Sequence, residues 1–167
     1  MATITFKGEI MHTKGNIPAV GDTLPDFQLA KNDLKKVSLK DFAGSRLVLN
    51  VFLSLDTGTC ANSVRTFNKI AAELENTKVL CISRDLPYAQ KRFCGAEGIE
   101  NAITLSDFAT HQFGKDYNLE IIDGPIQGLC SRVVLVTDEK GKVIYSEQVQ
   151  EASGEPNYEG ALTALKN

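Results

Sequence analysis

The sequence predicts an α/β fold in which helices flank a central sheet, and two patterns predict it. Residues 47–53 are apolar almost without alternation, which is typical of a strand that is covered on both faces of a sheet. From that strand the chain reads strand, helix, strand, helix, strand, and it ends in a hairpin and a helix. This order is typical of a sheet with helices packed against it.

The segment before the apolar strand predicts a hairpin and a set of short elements. Residues 2–17 alternate weakly around Lys7 and Gly8, which indicates a small hairpin. A connector, two short strands and one helical turn that stops at a glycine are then expected at 17–22, 26–29, 37–39 and 41–44. We therefore expect an N-terminal hairpin extension over 1–17 and a main domain over 18–167.

A helix is predicted from Cys60 to about Glu75, because its apolar residues recur at helical spacing. The later elements are strands at 79–82, 102–105 and 133–136, a helix from Pro87 to Cys94 stopped by Gly95, a turn at 138–141 into a strand at 143–145, and a helix at 158–165. Sites in such sheets lie beyond the carboxyl ends of the strands, which is where residues 53–60 fall.

Composition and charge exclude several classes of protein. The 167 residues fit one domain. A composition with 43% hydrophobic and 23% charged residues excludes a disordered chain. A net charge of −3 argues against nucleic-acid binding, and no apolar run reaches the ~18 residues of a membrane span. The N-terminus lacks the pattern of a secretory signal, so we expect a cytoplasmic protein with reduced thiols.

Cys60 stands where a buried strand leads into a helix. The first N–H groups of a helix have no partner within the helix, and the helix dipole places about half a positive charge there. Both effects favour a thiolate, the nucleophilic form of cysteine. Most of any large acceleration must still come from donors that polarise the electrophile. The alternative is a cysteine that only packs at the start of a helix.

Thr57 lies three residues before Cys60. Its hydroxyl can cap the helix or donate to a thiolate. The segment Thr57-Gly-Thr-Cys60 also resembles the redox motif C-x-x-C with threonine in place of the first cysteine. A protein with this change needs its second sulfur elsewhere in the chain, and Cys94 is the candidate.

Cys94 is expected near the far end of its helix, whereas Cys60 begins another helix. A disulfide requires Cα atoms roughly 4.4–6.8 Å apart, so a bond between these two cysteines requires local unwinding of one or both helix ends. The neighbouring Lys91 and Arg92 are expected to raise the thiolate fraction of Cys94. The alternative is a half-buried structural thiol.

The remaining candidates are judged by their position. Cys81 lies within a strand and is interpreted as core packing, while the sequence does not place Cys130. No cysteine pair has C-x-x-C spacing and the two histidines are far apart, so no metal site is expected. Arg132 either lies in solvent at a strand end or reaches the Cys60 pocket as a permanent cation, and Arg65 is a weaker rival for that task.

Four segments together resemble the thiol peroxidase subfamily of bacterial peroxiredoxins, which are atypical two-cysteine peroxiredoxins. They are Asp56-Thr-Gly-Thr-Cys60, Cys81-Ile-Ser-Arg-Asp-Leu-Pro87, Arg92-Phe-Cys-Gly-Ala-Glu-Gly98 and Asp123-Gly-Pro125. The resemblance covers nearly the whole chain. The segment that contains Cys94 is specific to the subfamily, whereas T-x-x-C marks only the wider peroxiredoxin class.

The resemblance implies a thioredoxin-like fold with an added N-terminal hairpin. It implies that Cys60 attacks hydrogen peroxide or an organic hydroperoxide to give a sulfenic acid, and that Cys94 resolves it as an intramolecular disulfide. Thr57 and Arg132 match the two activating residues of the family. Reduction by thioredoxin, a homodimer, a role in antioxidant defence and the absence of any cofactor are also implied by the resemblance.

One position departs from the family pattern P-x-x-x-T-x-x-C, because Leu53 stands where the family has proline. Leucine can exclude water from the thiolate, but it restores a backbone N–H and frees φ. We therefore expect an active enzyme with an altered rate or oxidation sensitivity. Three other functions stay open from the residues: a disulfide reductase, which the missing C-x-x-C disfavours, a redox-sensing binding module, and a structural domain with incidental thiols.

Overall fold

The computed structural model describes residues 1–166, and its regular elements follow the predicted order. The strands are β1 Ala2–Phe6, β2 Glu9–Thr13, β3 Gln28–Lys31, β4 Lys36–Ser38, β5 Arg46–Val51, β6 Thr77–Ser83, β7 Ala102–Ser106, β8 Val133–Thr137 and β9 Val143–Gln148. The helices are α1 Gly58–Ala71, α2 Pro87–Glu97, α3 Gln112–Asp116 and α4 Tyr158–Lys166, and a 3₁₀ turn spans Leu39–Phe42. Within residues 1–166, each helix is too short or too polar to cross a bilayer.

The central sheet is mixed and has seven strands in the order β4-β3-β7-β6-β5-β8-β9. Strands β5, β6 and β7 run parallel, while β8 pairs with β5 in the antiparallel direction. Two apolar clusters cover the two faces, since neighbouring residues such as Val48 and Leu49 point to opposite sides. Helices α1 and α4 pack in the first cluster and α3 in the second. The predicted α/β class with a central mixed sheet is confirmed.

Two predicted helix ends were wrong. Helix α1 ends at Ala71 rather than near residue 75, although Leu74 still packs against the core from the following turn. Apolar spacing alone therefore overestimated its length. Helix α2 continues through Gly95 and stops at Gly98, which has the left-handed conformation with φ 65°. A glycine ends a helix where the backbone needs positive φ, and that residue is Gly98.

Two other elements differ from the prediction. The strand expected at 26–29 lies at Gln28–Lys31, because Gln28, Leu29 and Ala30 pair with β4. Helix α3 was not predicted, since its five residues are too few for a visible apolar period. It begins after His111, which has φ 59°.

The N-terminal hairpin is confirmed. Strands β1 and β2 pair in the antiparallel direction around Lys7 and Gly8, whose φ values of 51° and 84° suit a tight hairpin turn. The hairpin is joined to the segment after β9, because Thr5 donates to the carbonyl of Gln150 (2.8 Å) and accepts from the N–H of Ala152 (2.7 Å). The division into 1–17 and 18–167 stays a prediction.

The packing of α1 generates a prediction for stability. Phe67 is buried in the first cluster with its ring 5.2 Å from that of Tyr158. Phe67→Ala should lower the free energy of unfolding by about 3–5 kcal/mol, because the ring leaves a cavity. Urea denaturation measures the change. The control Tyr88→Ala removes a ring that is 68% exposed, and a loss as large as that of Phe67→Ala would contradict the assignment.

Candidate active site

Strand β5 delivers a buried cysteine to the carboxyl edge of the sheet. The strand ends at Val51, a loop follows, and α1 begins at Gly58, so that Cys60 lies in the first turn of the helix. Its side chain is buried in the apolar cluster that α1 forms with the sheet. The predicted placement of Cys60 at the junction of a strand and a helix is confirmed.

Arg132 reaches this cysteine from the neighbouring strand. Its Nη2 donates a hydrogen bond to Sγ of Cys60 at 2.9 Å, and the whole arginine side chain is buried. The contact arises because β8 lies next to β5 in the antiparallel direction, which places the start of β8 beside the end of β5. A buried guanidinium in contact with sulfur stabilises the anionic form of that sulfur. Of the two alternatives for Arg132, the structure shows the one that reaches the pocket.

The other nitrogens of Arg132 define its orientation. Nε donates to the carbonyl of Ala152 at 3.3 Å, which fixes the plane of the guanidinium. Nη1 is buried and has no hydrogen-bond partner within residues 1–166. A buried donor without a partner is costly. The neighbouring groups therefore leave the donor capacity of Nη1 unused.

A cavity of about 250 Å³ lies in front of the pair. Its lining comes from the hairpin, the loop before α1, the first turn of α1, Arg132 and the segment after β9: Phe6, Lys7, Leu53, Thr57, Gly58, Thr59, Arg132, Ala152 and Ser153. The cavity can hold a small molecule beside the guanidinium, and the N-terminal hairpin forms one of its walls.

The hydroxyl of Thr57 has a hydrogen-bond partner that was not predicted. It is the N-cap of α1, but its hydroxyl donates to the carbonyl of Ser54 (3.0 Å) rather than to a backbone N–H of the helix or to Cys60. Its hydroxyl therefore makes neither of the two hydrogen bonds that were expected, and its part in the reaction stays a prediction. Thr57 remains exposed at the wall of the cavity.

Leu53 lines the same cavity and is 4% exposed. Its side chain belongs to the same apolar cluster as Cys60 and adds apolar surface to the wall of the cavity. The backbone of the following loop depends on other contacts, because leucine leaves φ unrestricted.

Cys94 lies in α2, half-buried, with its Sγ 3.6 Å from Oγ1 of Thr104 in β7. Burial raises the pKa of the Cys94 thiol, and side-chain hydrogen bonds with Thr104 and Asn32 offset this rise only in part. The expectation that Lys91 and Arg92 increase its thiolate fraction was wrong, since both side chains lie toward solvent and desolvation dominates.

The two thiols are attached to different parts of the sheet. Cys60 contacts Arg132 at the start of β8, whereas Cys94 contacts Thr104 in β7, and strands β5 and β6 stand between β8 and β7. Three strand spacings separate β8 from β7 by about 14 Å. Direct bonding between Cys60 and Cys94 therefore requires local rearrangement of the helix ends.

The other candidates lie outside this pair. Cys81 is buried in the core, as predicted, and burial raises its pKa to about 12. Cys130 is also buried, with its pKa raised to about 12 for the same reason. Arg65 donates two hydrogen bonds of 2.9 Å to Glu97 and is not part of the site.

Sequence reasoning missed three parts of the site. The hairpin residues Phe6 and Lys7 reach it through the fold and carry no sequence signal. The carbonyl of Ala152, which holds Arg132, belongs to a backbone and has no signal either. Asp85, which binds the loop before α1, could have been found, because a carboxylate directly after a buried strand lies at the carboxyl edge of the sheet.

The arrangement suits nucleophilic attack by sulfur on a small oxygen-containing electrophile. Sγ of Cys60 is held against a cation, a spare N–H of Arg132 is buried nearby, and Arg132 borders the cavity. Donors that stabilise charge on an oxygen as it develops are the largest source of acceleration in such reactions.

Comparison with known proteins agrees with this chemistry. Residues 19–162 match the family model described as Redoxin. The chain is 53% identical over 165 residues to the thiol peroxidase of Corynebacterium glutamicum, covering 99% of both chains. The structure is similar to a peroxiredoxin-like protein from Aquifex aeolicus, with a TM-score of 0.93, 33% identity, and coverage of 99% of this chain and 96% of the other. A thiol peroxidase from Chromobacterium violaceum has the same fold, with a TM-score of 0.91, 22% identity, and coverage of 98% and 95%.

The contact between Arg132 and Cys60 predicts the reactivity of the thiol. Arg132→Lys keeps the positive charge but loses the planar fork that bonds both Sγ and the Ala152 carbonyl. Alkylation of Cys60 by iodoacetamide at pH 7, followed by mass spectrometry, should slow about 10-fold, because one charge-assisted hydrogen bond is lost. Arg65→Lys is the control and should leave the rate unchanged, and equal rates in both variants would contradict the prediction.

Proposed function

This chain belongs to the Redoxin family and is a peroxidase of the peroxiredoxin type, and from that premise we propose that it reduces hydrogen peroxide and organic hydroperoxides through a sulfenic acid on Cys60. The observation that carries the proposal is the 2.9 Å hydrogen bond from buried Arg132 to Sγ of Cys60, at a place where Arg132 borders the cavity. We further propose that Cys94 resolves the sulfenic acid and that thioredoxin restores the thiols.

In the first step the thiolate of Cys60 attacks the terminal oxygen of the hydroperoxide. The S–O bond forms as the O–O bond breaks, and the electron pair leaves on the other oxygen, which takes a proton from water and departs as an alcohol or water. The sulfur is oxidised by two electrons to a sulfenic acid. Arg132 supports this step, since Nη2 holds the sulfur and the free Nη1 can donate to a peroxide oxygen.

In the second step the sulfur of Cys94 attacks the sulfenic sulfur of Cys60. An S–S bond forms and water leaves, so that the two thiols together supply the two electrons. The separation of β7 and β8 means that the first turn of α1, the end of α2 or both must unwind before this bond forms. Gly95 in the last turns of α2 and Gly98 directly after the helix lower the cost of unwinding there.

The cycle closes when a dithiol of the thioredoxin type reduces the Cys60–Cys94 disulfide by two exchange steps. Such recycling requires a reducing compartment, and we propose the cytoplasm and a role in antioxidant defence for this reason. A homodimer is part of the proposal through the family resemblance.

Mass analysis after oxidation tests the cysteine roles. One equivalent of peroxide should join Cys60 to Cys94 and leave Cys81 and Cys130 as thiols, because burial keeps both protonated. The assay supplies electrons through thioredoxin and its reductase. Under these conditions Cys60→Ser should abolish peroxide consumption, whereas Cys94→Ser should consume about one equivalent of peroxide and then stop. Non-reducing peptide mapping and the coupled assay measure these outcomes.

The same assays separate the other functions. Stoichiometric oxidation without turnover in the unmodified chain would support a redox sensor, and reduction of insulin disulfides without peroxide consumption would support a disulfide reductase. Peroxide consumption that is unchanged in Cys60→Ser would leave only a structural domain with incidental thiols.

The wall of the cavity predicts substrate preference. Phe6 of β1 is a large apolar group at the cavity, so it should contact the organic part of a hydroperoxide. Phe6→Ala should lower kcat/KM for cumene hydroperoxide about 10-fold, because apolar contact area is lost, and change that for hydrogen peroxide little. Phe108→Ala, which lies outside the cavity lining, is the control. An equal loss for both substrates would show that Phe6 serves the fold rather than selection.

A further inference from the structure

A carboxylate outside the Cys60–Arg132 pair binds the loop that leads into α1. Asp85 follows β6, and its Oδ2 accepts the backbone N–H of Leu55 at 2.9 Å. Its Oδ1 accepts the hydroxyl of Ser54, also at 2.9 Å. Since Ser54 and Leu55 stand between β5 and α1, one side chain connects the carboxyl ends of two neighbouring parallel strands.

Asp85 is itself held in place by two serines. The hydroxyl of Ser83 at the end of β6 donates to Oδ2 at 2.6 Å, and the hydroxyl of Ser106 at the end of β7 donates to the backbone carbonyl of Asp85. The carboxylate is therefore fixed with respect to the central strands of the sheet. Hydrogen bonds to a charged acceptor are stronger than those between neutral groups, which suits an anchor for a loop.

The anchor continues toward Cys60 through Thr57. The carbonyl of Ser54 accepts both the N–H of Thr57 (3.2 Å) and its hydroxyl (3.0 Å). The carbonyl of Thr57 then accepts the N–H of Ala61 in the first turn of α1 (3.0 Å). An unbroken set of hydrogen bonds thus connects Asp85 to the turn that carries Cys60.

The residue at position 53 explains why a side chain has to order the loop before α1. A proline there would fix one backbone angle at the start of the loop, whereas Leu53 leaves that angle free. The segment from Ser54 to Thr57 must then be ordered by contacts with its neighbours, and the two hydrogen bonds to Asp85 are contacts of that kind.

We propose that Asp85 is a positioning residue for Cys60. It holds residues 54–57 in the arrangement from which Cys60 attacks peroxide, and loss of its two loop contacts accompanies the unwinding that lets Cys60 reach Cys94. Asp85 also stands two residues before Pro87, where the helix that carries Cys94 begins. This inference rests on the proposed function. It adds the group that sets the balance between the ordered loop, from which Cys60 attacks peroxide, and the unwound loop, from which Cys60 reaches Cys94.

The test compares Asp85→Asn with a matched control. In Asp85→Asn the amide cannot accept from both Leu55 and Ser54 with full charge, so the ordered loop is less populated. The rate of Cys60 oxidation by peroxide should fall about 10-fold, as for the loss of one charge-assisted hydrogen bond. Formation of sulfinic acid at high peroxide should also fall, because a loop that opens more readily passes the sulfenic acid to Cys94 before a second peroxide oxidises it.

The control is Asp138→Asn. Asp138 is half-buried like Asp85 and accepts the N–H groups of Lys140 (2.9 Å) and Lys142 (3.0 Å), but it lies after β8 at the opposite edge of the sheet. It should leave both rates unchanged. Ser54→Ala removes one of the two loop contacts, so it should change both rates by about 3-fold in the same direction as Asp85→Asn. If Asp85→Asn does not fold, Ser54→Ala takes its place in the test.

The outcomes distinguish this inference from the proposed function. If the unmodified chain does not turn over peroxide, the proposed function fails, and alkylation of Cys60 by iodoacetamide then tests positioning by itself. If the unmodified chain is active and Asp85→Asn and Ser54→Ala both match Asp138→Asn, Asp85 does not position Cys60. A fall in oxidation rate together with more sulfinic acid would also overturn the inference, because the loop would not have opened.

Discussion

The buried hydrogen bond between Arg132 and Cys60 is the contact on which the rest of the site depends. A guanidinium taken out of water costs several kcal/mol unless it is paired, and the sulfur of Cys60 is one of the two hydrogen-bond partners of Arg132. The fold brings them to 2.9 Å although 72 positions separate them in the chain. The antiparallel pairing of β8 with β5 produces this contact, and any shift of register by one residue would turn Arg132 to the other face of the sheet.

The N-terminal hairpin contributes to this contact from outside the sheet. Thr5 exchanges backbone hydrogen bonds with Gln150 and Ala152, and the carbonyl of Ala152 accepts from Nε of Arg132. The hairpin therefore orders the segment that orients the arginine, and it also forms a wall of the cavity with Phe6. The hairpin thus contacts both the segment that orients Arg132 and the cavity in front of Cys60.

The sequence predicted those features that depend on local pattern. The apolar strand β5, the helix after it and Cys60 between them follow from residue order and periodicity, so they could be placed without a structure. The contacts of Arg132 and Asp85 could not, because each depends on which strands become neighbours. The hydrogen-bond partner of the Thr57 hydroxyl was not predicted for a related reason. Its position before α1 suggested a backbone N–H of the helix, whereas the hydroxyl donates to the carbonyl of Ser54 in the preceding turn.

The raised pKa of Cys94 gives the proposed cycle an order of events. While α2 is intact, burial keeps this thiol protonated, so it reacts slowly with peroxide and leaves the first step to Cys60. Unwinding of the helix end exposes Cys94 to water, which removes the desolvation that raised its pKa and increases its thiolate fraction. The movement that brings the second sulfur toward the first therefore also makes it reactive. In the proposed cycle, resolution is therefore coupled to the conformational change rather than to the chemistry of the first step.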